Sequence, residues 1–403
     1  MPDSPLSTLL LERRVVVVAG AGGVGKTTIA AALSLAAADS GRRVLCLTID
    51  PAKRLFDRLG LDPTSGADQL VDPTPFRAAG LTFSGELTVV MLDTKRTFDE
   101  LVIRHASSPA AAERILKNEF YEYVSTQLAG TQAYMAMEKV LSVLEDRRYD
   151  LVVLDTPPTA DALDFLDAPG RLIETLDSPA LRWLGDVFER SGRMSLNLVA
   201  QGVAFVLRTL SKLTGRGFLE RLSEFVSELN QLFGGFRERA EKVAAAFRRP
   251  DFAYLLAASP APGALDEAGF FAERLTRLGL RASGLIVNRV RRTGDTVPTL
   301  AELARELERR QIVSASSTEL GPVHGSSDLA ERILVAQREE LALGELDRDT
   351  LARHVLRDFG PERVPWVVQV PAFADTIHDI AALTAVARSL GLIRAGASFG
   401  TAP

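Results

Sequence analysis

Short apolar runs alternate with longer stretches of helical periodicity along this 403-residue chain. Each run is apolar on both faces, which is typical of parallel strands buried inside a sheet. Because helices must cover both faces of such a sheet, the alternation predicts a doubly wound, mostly parallel α/β fold. The predicted strands cover residues 15–19, 43–49, 87–92, 151–155, 252–258, 283–288 and 366–370.

Two helical stretches interrupt this alternation, at residues 95–148 and 171–250. Within the second stretch, apolar residues recur every three or four positions and form one helix face. This face either packs on neighbouring helices of the same chain or forms a surface groove for an apolar client. The run 196–210 is too short and too polar to cross a bilayer, which takes roughly 20 apolar residues. The residues of the apolar face are Phe218, Leu222, Phe225, Leu229, Leu232 and Phe236.

These patterns divide the chain into a discontinuous α/β core with helical inserts. We expect residues 171–250 to form the helical subdomain and the small, Gly/Ala-rich residues 391–403 to be a mobile tail. The predicted boundaries are 1–94 (core), 95–148 (helical insertion), 149–170 (core), 171–250 (helical subdomain), 251–390 (core) and 391–403 (tail).

A glycine-rich loop lies between the first predicted strand and a helix that is predicted from Thr27 to about Asp39. Glycines allow the backbone to turn tightly and bring N–H groups close to anionic oxygens. The positive end of the helix dipole points at the same place. The strand and the helix are the context that makes this motif specific for the phosphates of a nucleotide triphosphate. The predicted nucleotide-binding loop comprises Gly20, Ala21, Gly22, Gly23, Val24 and Gly25.

The three residues after the loop complete the predicted triphosphate site. Lys26 is predicted to reach the β- and γ-phosphates as a catalytic point charge. The hydroxyl of Thr27 is predicted to bind Mg²⁺. Thr28 continues the helix and belongs to the same nucleotide-binding segment.

Two aspartates follow buried strands at the carboxyl edge of the sheet, where open α/β sheets bind ligands. Asp155 ends the strand 151–155 and is predicted to hold Mg²⁺, directly or through water, the alternative being an ordinary capped turn. Asp50 follows the strand 43–49 and is predicted to orient or deprotonate the attacking water. Its alternative role is to cap the loop before Pro51.

Net charge and cysteine content bear on the partners and the compartment of the protein. The formal net charge of −5 offers no basic footprint for nucleic acid. The single cysteine, Cys46, excludes an intramolecular disulfide and favours a reducing compartment, and the N-terminal residues lack a signal-peptide pattern. We therefore expect a cytoplasmic protein without stable membrane insertion. The four histidines show no metal-ligand spacing and are interpreted as surface or structural residues: His105, His324, His354 and His378.

Taken together, three motifs resemble the ArsA/Get-type family of ATPases, which belongs to the dimeric P-loop class with a deviant Walker A loop. The motifs are the glycine loop with Lys26 and Thr27, the sequence Asp50-Pro51-Ala52 as switch I, and the segment 155–159 as switch II. The resemblance implies that the nucleotide is ATP, that Asn288 reads the adenine, and that Pro371 lies in the adenine loop. It also implies a dimer and a client-binding role for the helical subdomain.

One departure from the family pattern concerns position 21, where relatives normally carry a lysine that crosses the dimer interface. Here the residue is Ala21. A cation supplied in trans can change the rate of phosphoryl transfer by about 10³–10⁵. The working unit is therefore either a homodimer or a heterodimer with a lysine-bearing paralogue. Lys53 or Arg54 are further sources of a cation. The paired cysteines of a zinc-bridged dimer and of an arsenite site are absent from the sequence.

The leading functional prediction is an Mg·ATP-dependent ATPase that couples dimer opening and closing to capture of an apolar client. The alternative is a nucleotide-binding regulatory or scaffold subunit with little hydrolysis of its own, which Ala21 favours. An arsenite-pump subunit ranks third because one cysteine cannot build a soft-metal site.

Overall fold

A computed structural model gives the fold of the chain. It describes residues 4–49, 54–62, 68–118, 121–122, 125, 131–157, 159–177, 237–291, 299–309, 316–317, 321–322, 326–360, 362–373 and 380–393.

Eight strands form one sheet in the order β10-β7-β6-β1-β5-β2-β4-β3, with β1 among the central strands. The pairs β2–β4, β2–β5, β6–β7 and β7–β10 are parallel, and β3 is antiparallel to β4. The strands are β1 (Val15–Gly20), β2 (Arg43–Thr48), β3 (Gln69–Leu70), β4 (Glu86–Met91), β5 (Leu151–Asp155), β6 (Phe252–Ala258), β7 (Ala282–Val290) and β10 (Val367–Pro371); β8 (Ser316–Ser317) and β9 (Gly321–Pro322) form a separate two-stranded sheet.

Helices separate the strands, as the alternation of patterns predicts. They are α1 (Pro5–Glu12), α2 (Lys26–Asp39), α3 (Arg54–Leu59), α4 (Thr74–Ala78), α5 (Thr94–His105), α6 (Pro109–Leu116), α7 (Thr131–Asp146), α8 (Thr159–Leu176), α9 (Pro262–Arg277), α10 (Leu300–Arg309), α11 (Ser326–Asp358) and α12 (Ile380–Ser389). Residues 237–246 are also helical. Among the helices that can be described, none is both long and apolar enough to cross a membrane.

The doubly wound, mostly parallel α/β fold is confirmed. All seven predicted strands are present within one or two residues of their predicted bounds. The predicted helix after the glycine loop is α2, which ends just before Gly41, a residue with φ of +98°. The short antiparallel strand β3 and the sheet of β8 and β9 were not predicted, because two-residue strands leave no periodic signal.

The chain divides into two compact units. One comprises Met1–Leu9, Val18–Ala36 and Tyr254–Pro403, and the other comprises Leu10–Val17 and Ala37–Ala253. In the second unit, β2 lies between β4 and β5, so that Cys46 is opposite both Val89 and Val153. All three side chains are buried, which is why these strands read as continuous apolar runs.

Helices α5, α6 and α7 of the second unit lie in or overlap the stretch 95–148. Side chains cap the N-termini of α5 and α6. The Asp93 carboxylate accepts from the backbone N–H of Arg96 at the start of α5, and Ser108 caps α6 before Pro109. The caps satisfy amides that have no acceptor within the helix.

A buried ion cluster ties residues 237–246 to α7. Nε of Arg239 donates to both oxygens of Glu138, at 2.8 and 2.9 Å, and its Nη1 donates to Glu145 at 2.7 Å. The side chains of Arg239 and Glu138 are 7% and 3% exposed. Burial raises the pKa of Glu138, and the positive charge of Arg239 opposes this shift. The cluster therefore anchors the end of the long helical insertion.

Most of that insertion, residues 178–236, lies outside the described residues. The predicted apolar face from Phe218 to Phe236 and the run 196–210 fall within this range, so both stay predictions. The predicted tail is described only as far as Ile393.

Candidate functional site

The glycine loop leaves the end of β1 in a tightly packed turn. A Cβ atom at Gly20 would lie 2.0 Å from the carbonyl oxygen of Ala257, so only glycine allows this approach of two strands. Gly23 and Gly25 have φ values of +77° and +95°, in the left-handed region that favours glycine. The sequence thus places glycines where the backbone requires them.

Helix α2 begins at Lys26, directly after the loop, and the N–H of Ile29 donates to the carbonyl of Gly25 at 3.0 Å. The first amides of a helix have no intrahelical acceptor, and the helix dipole makes this end positive. Thr27 is half-buried and Thr28 is buried at this end of the helix. The arrangement is suited to an anion.

The ammonium group of Lys26 folds back over the loop. Its Nζ donates to the carbonyl oxygen of Ala21 at 2.9 Å, and the residue is only 8% exposed. Ala21 itself is buried, while Gly22 and Gly23 are exposed. The cation therefore lies against the backbone of the glycine loop.

Asn288, near the end of β7, contacts the same loop. Its Nδ2 donates to the carbonyl of Val24 at 2.8 Å, and a Cβ atom at Gly25 would lie 2.3 Å from Nδ2. Its Oδ1 accepts from the backbone N–H of Arg289, which has a left-handed φ of +62°. Asn288 is 4% exposed. The structure thus shows a loop-bracing role that the sequence analysis missed.

Pro371 lies on the strand next to Asn288. It ends β10 and is opposite Val290 of β7, and the N–H of Ala372 donates to the carbonyl of Val290 at 2.9 Å. Both residues that the resemblance implies for adenine therefore lie near the same end of neighbouring parallel strands.

In the other compact unit, Asp155 ends β5 and is fully buried. The hydroxyl of Thr48, opposite it at the end of β2, donates to its Oδ2 at 3.1 Å. Thr48 is 1% exposed and was given no role from the sequence. The two residues end strands that are neighbours in the sheet but are separated in the chain by β3 and β4, so no local pattern pairs them. The carboxylate lies at the carboxyl end of β5, and its role in binding Mg²⁺ stays a prediction.

The remaining predicted site residues cannot be placed. Asp50, Pro51, Ala52 and Lys53 lie outside the described residues, as does Pro158. The role of Asp50 therefore stays a prediction.

The glycine loop between a buried strand and a helix, within a mostly parallel sheet, defines a P-loop NTPase. A family model described as anion-transporting ATPase (ArsA ATPase) matches residues 13–296, and the chain belongs to this family.

Individual relatives agree with this assignment. The chain is 31% identical over 166 residues to the "Putative arsenical pump-driving ATPase" of Halobacterium salinarum, covering 39% of this chain and 24% of that protein. It is 28% identical over 224 residues to "ATPase get3" of Aspergillus terreus, covering 55% and 60%. It is 25% identical over 297 residues to "ATPase ARSA2" of Chlamydomonas reinhardtii, covering 72% of each. The match thus spans 24% of the length of the Halobacterium salinarum protein and 60% of the length of the Aspergillus terreus protein.

Proposed function

We propose that the protein is an Mg²⁺-dependent ATPase that couples ATP binding and hydrolysis to a conformational change. The observation that carries this proposal is the glycine loop, with Lys26 folded over it and α2 starting at its end. Family membership supports it, because the matched relatives are named ATPases.

In this proposal Lys26 binds the β- and γ-phosphates, and the backbone amides of residues 20–25 bind the remaining phosphate oxygens. Thr27 and Asp155 would hold Mg²⁺, since both supply the oxygen atoms that this ion prefers. When bound, the ion would supply positive charge against the phosphates. Thr48 orients the Asp155 carboxylate through its hydrogen bond. Asp50 orients the attacking water.

Adenine recognition is assigned to the end of β7 and β10. Pro371 offers a half-buried apolar surface, and Asn288 lies two residues before the partner of Pro371 in the strand pair. Asn288 donates one amide hydrogen to Val24, and an amide carries two donors, so it retains a second for a base.

We further propose that the working unit is a dimer in the cytoplasm and that residues 171–250 bind an apolar client protein. The apolar helix face predicted from Phe218 to Phe236 supports the assignment of a client-binding role. The role of an arsenite-pump subunit is disfavoured because the sequence has one cysteine, Cys46, and this residue is buried.

The second candidate function is a nucleotide switch with negligible turnover. Ala21 supports it, because its buried methyl group supplies no cation to a partner subunit. A heterodimer with a lysine-bearing paralogue would restore that cation.

The test measures binding of a fluorescent ATP analogue in the presence of Mg²⁺. Lys26→Ala is expected to weaken binding by about tenfold to hundredfold, since a hydrogen bond to a charged group contributes about 1.5–3 kcal/mol. Lys95→Ala is the matched control, because Lys95 is an exposed lysine paired with Asp99. Unchanged affinity in Lys26→Ala would refute the assignment.

Measuring the rate of phosphate release then distinguishes the ATPase from the nucleotide switch. We expect turnover in the unmodified chain to be slow, and Ala21→Lys to accelerate it by about 10³-fold or more if a cation in trans completes the site. A nucleotide switch binds ATP in both forms and hydrolyses it in neither, including after addition of a lysine-bearing paralogue.

A further inference from the structure

Helices α9 and α11 bring an imidazole and two carboxylates together. His354 and Asp358 lie one turn apart on α11, and Asp266 lies on α9. One ligand atom from each residue lies within 4.8 Å of the other two. The helices approach closely here, since a Cβ atom at Gly269 of α9 would lie 3.2 Å from Cβ of Asp358.

The hydrogen bond of His354 defines which ring nitrogen is available. Nδ1 lies 2.8 Å from the carbonyl oxygen of Thr350. A carbonyl only accepts, so Nδ1 carries the hydrogen, and Nε2 of the neutral ring presents a lone pair. Fixing one nitrogen on a backbone carbonyl is how proteins orient histidine ligands of metals.

Nε2 of His354 faces Oδ1 of Asp266 at 3.4 Å, while the His354 side chain is 10% exposed. Two acceptors at this distance require a cation between them or a proton on the ring. Tetrahedral zinc, with bonds of about 2.0–2.1 Å, separates its ligand atoms by roughly this distance. The buried ring is thus aimed into the cluster.

A positive charge already lies at the open side of the cluster. Nη2 of Arg357 lies 2.6 Å from Asp266 and 2.7 Å from Asp358. Its side chain is 62% exposed, so solvent can replace its contacts when it moves away. With a neutral ring, the two carboxylates outweigh this one charge. An ion has an entry path, because the Asp266 side chain is 57% exposed.

We propose that Asp266, His354 and Asp358 bind a divalent transition-metal ion of the Zn²⁺ type, with Arg357 as the competing internal cation. One imidazole and two carboxylates suit such an ion, and the open side leaves a position for water. The bound ion fastens α11 to α9. The site shares no residue with the proposed nucleotide site.

The experiment titrates Co²⁺ into the tag-free full chain without nucleotide and in excess Mg²⁺, which occupies sites that favour oxygen ligands. A saturable visible absorption band that Zn²⁺ abolishes by competition is expected. His354→Ala and Asp266→Asn are each expected to weaken Co²⁺ binding by about tenfold or more. Asp349→Asn, an exposed aspartate of α11, is the matched control and should bind as the unmodified chain does.

Arg357→Ala distinguishes the metal site from a structural ion cluster. Removal of the competing cation is expected to tighten Co²⁺ binding, whereas an imidazolium–carboxylate cluster gains no affinity for metal. Folding of each variant is checked by circular dichroism. Asp266 is an exposed residue, so Asp266→Asn still tests the proposal if His354→Ala fails to fold. The absence of a saturable band, or a band that persists unchanged in Asp266→Asn, overturns the proposal.

Discussion

The side-chain amide of Asn288 donates to the carbonyl of Val24 at 2.8 Å and so joins strand β7 to the phosphate loop. Val24 and Asn288 are both buried, at 2% and 4% exposure. The contact therefore links the loop that we propose binds phosphate to the strand that we propose recognises the base.

Asn288→Ala leaves the carbonyl of Val24 buried without this donor, which costs about 1–3 kcal/mol. We expect ATP affinity to fall about tenfold to hundredfold. If the residue acts only as a brace, GTP affinity falls by the same factor. If it also reads adenine, the preference for ATP over GTP falls as well. Gln369→Ala, an exposed change on β10, serves as the control. Wild-type affinity for both nucleotides in Asn288→Ala would contradict both roles.

Gly20→Ala and Gly23→Ala separate steric from conformational effects in the loop. The first forces a methyl group to 2.0 Å from the Ala257 carbonyl, and overpacking of this kind costs about 1–3 kcal/mol or more. The second has open space and costs about 1–2 kcal/mol through its left-handed φ alone. Urea unfolding should rank Gly20→Ala as the less stable.

Gly60→Ala is the control for backbone strain, because Gly60 has a φ of +68° with open space around it and lies outside the loop. It should lose stability as Gly23→Ala does but keep its nucleotide affinity. Equal loss of ATP binding in both variants would show that the effect is not local to the loop.

Arg239→Met leaves the carboxylate of Glu138 buried without its main counter-charge. We expect a loss of about 3–5 kcal/mol in the free energy of unfolding, because breaking one side of a buried pair is strongly destabilising. Burial already raises the pKa of Glu138, so the deficit should shrink at low pH as this group protonates.

The double variant Glu138→Met/Arg239→Met should recover most of that loss, since apolar side chains replace both charges. Arg237→Met removes an exposed arginine from the same helical segment and should cost no more than about 1 kcal/mol. A double variant as unstable as the single one would argue against an unpaired charge as the cause.

Asp150 contributes to stability in a defined pH range. Hydrogen bonds from the Arg43 side chain and backbone lower its pKa from the usual 3.8 to about 2. A depressed carboxyl pKa stabilises the fold above the unfolded-state pKa, and this contribution is lost as pH falls from about 4 toward 2. Asp150→Asn should therefore lower Tm slightly at pH 7 and by less at pH 2. The same difference in Tm at both values would exclude this linkage.

The main strands were predictable because burial on both faces leaves continuous apolar runs such as Leu151–Leu154. The phosphate loop was predictable because its chemistry is local in sequence. Contacts between residues far apart in the sequence were not predictable. No local pattern shows that Asn288 contacts Val24 or that Asp266 contacts His354. The spacing of His354 and Asp358 on one helix was visible, but two residues without a third ligand do not indicate a metal site.

The contact between Lys26 and Ala21 has a kinetic consequence for ligand capture. In the proposed function, the ammonium group of Lys26 already lies against the loop before a nucleotide arrives, and rotation of one side chain would move it from the Ala21 carbonyl to the phosphates. Little conformational freedom would then be lost on association, so we expect the loop to bind nucleotide without a folding step.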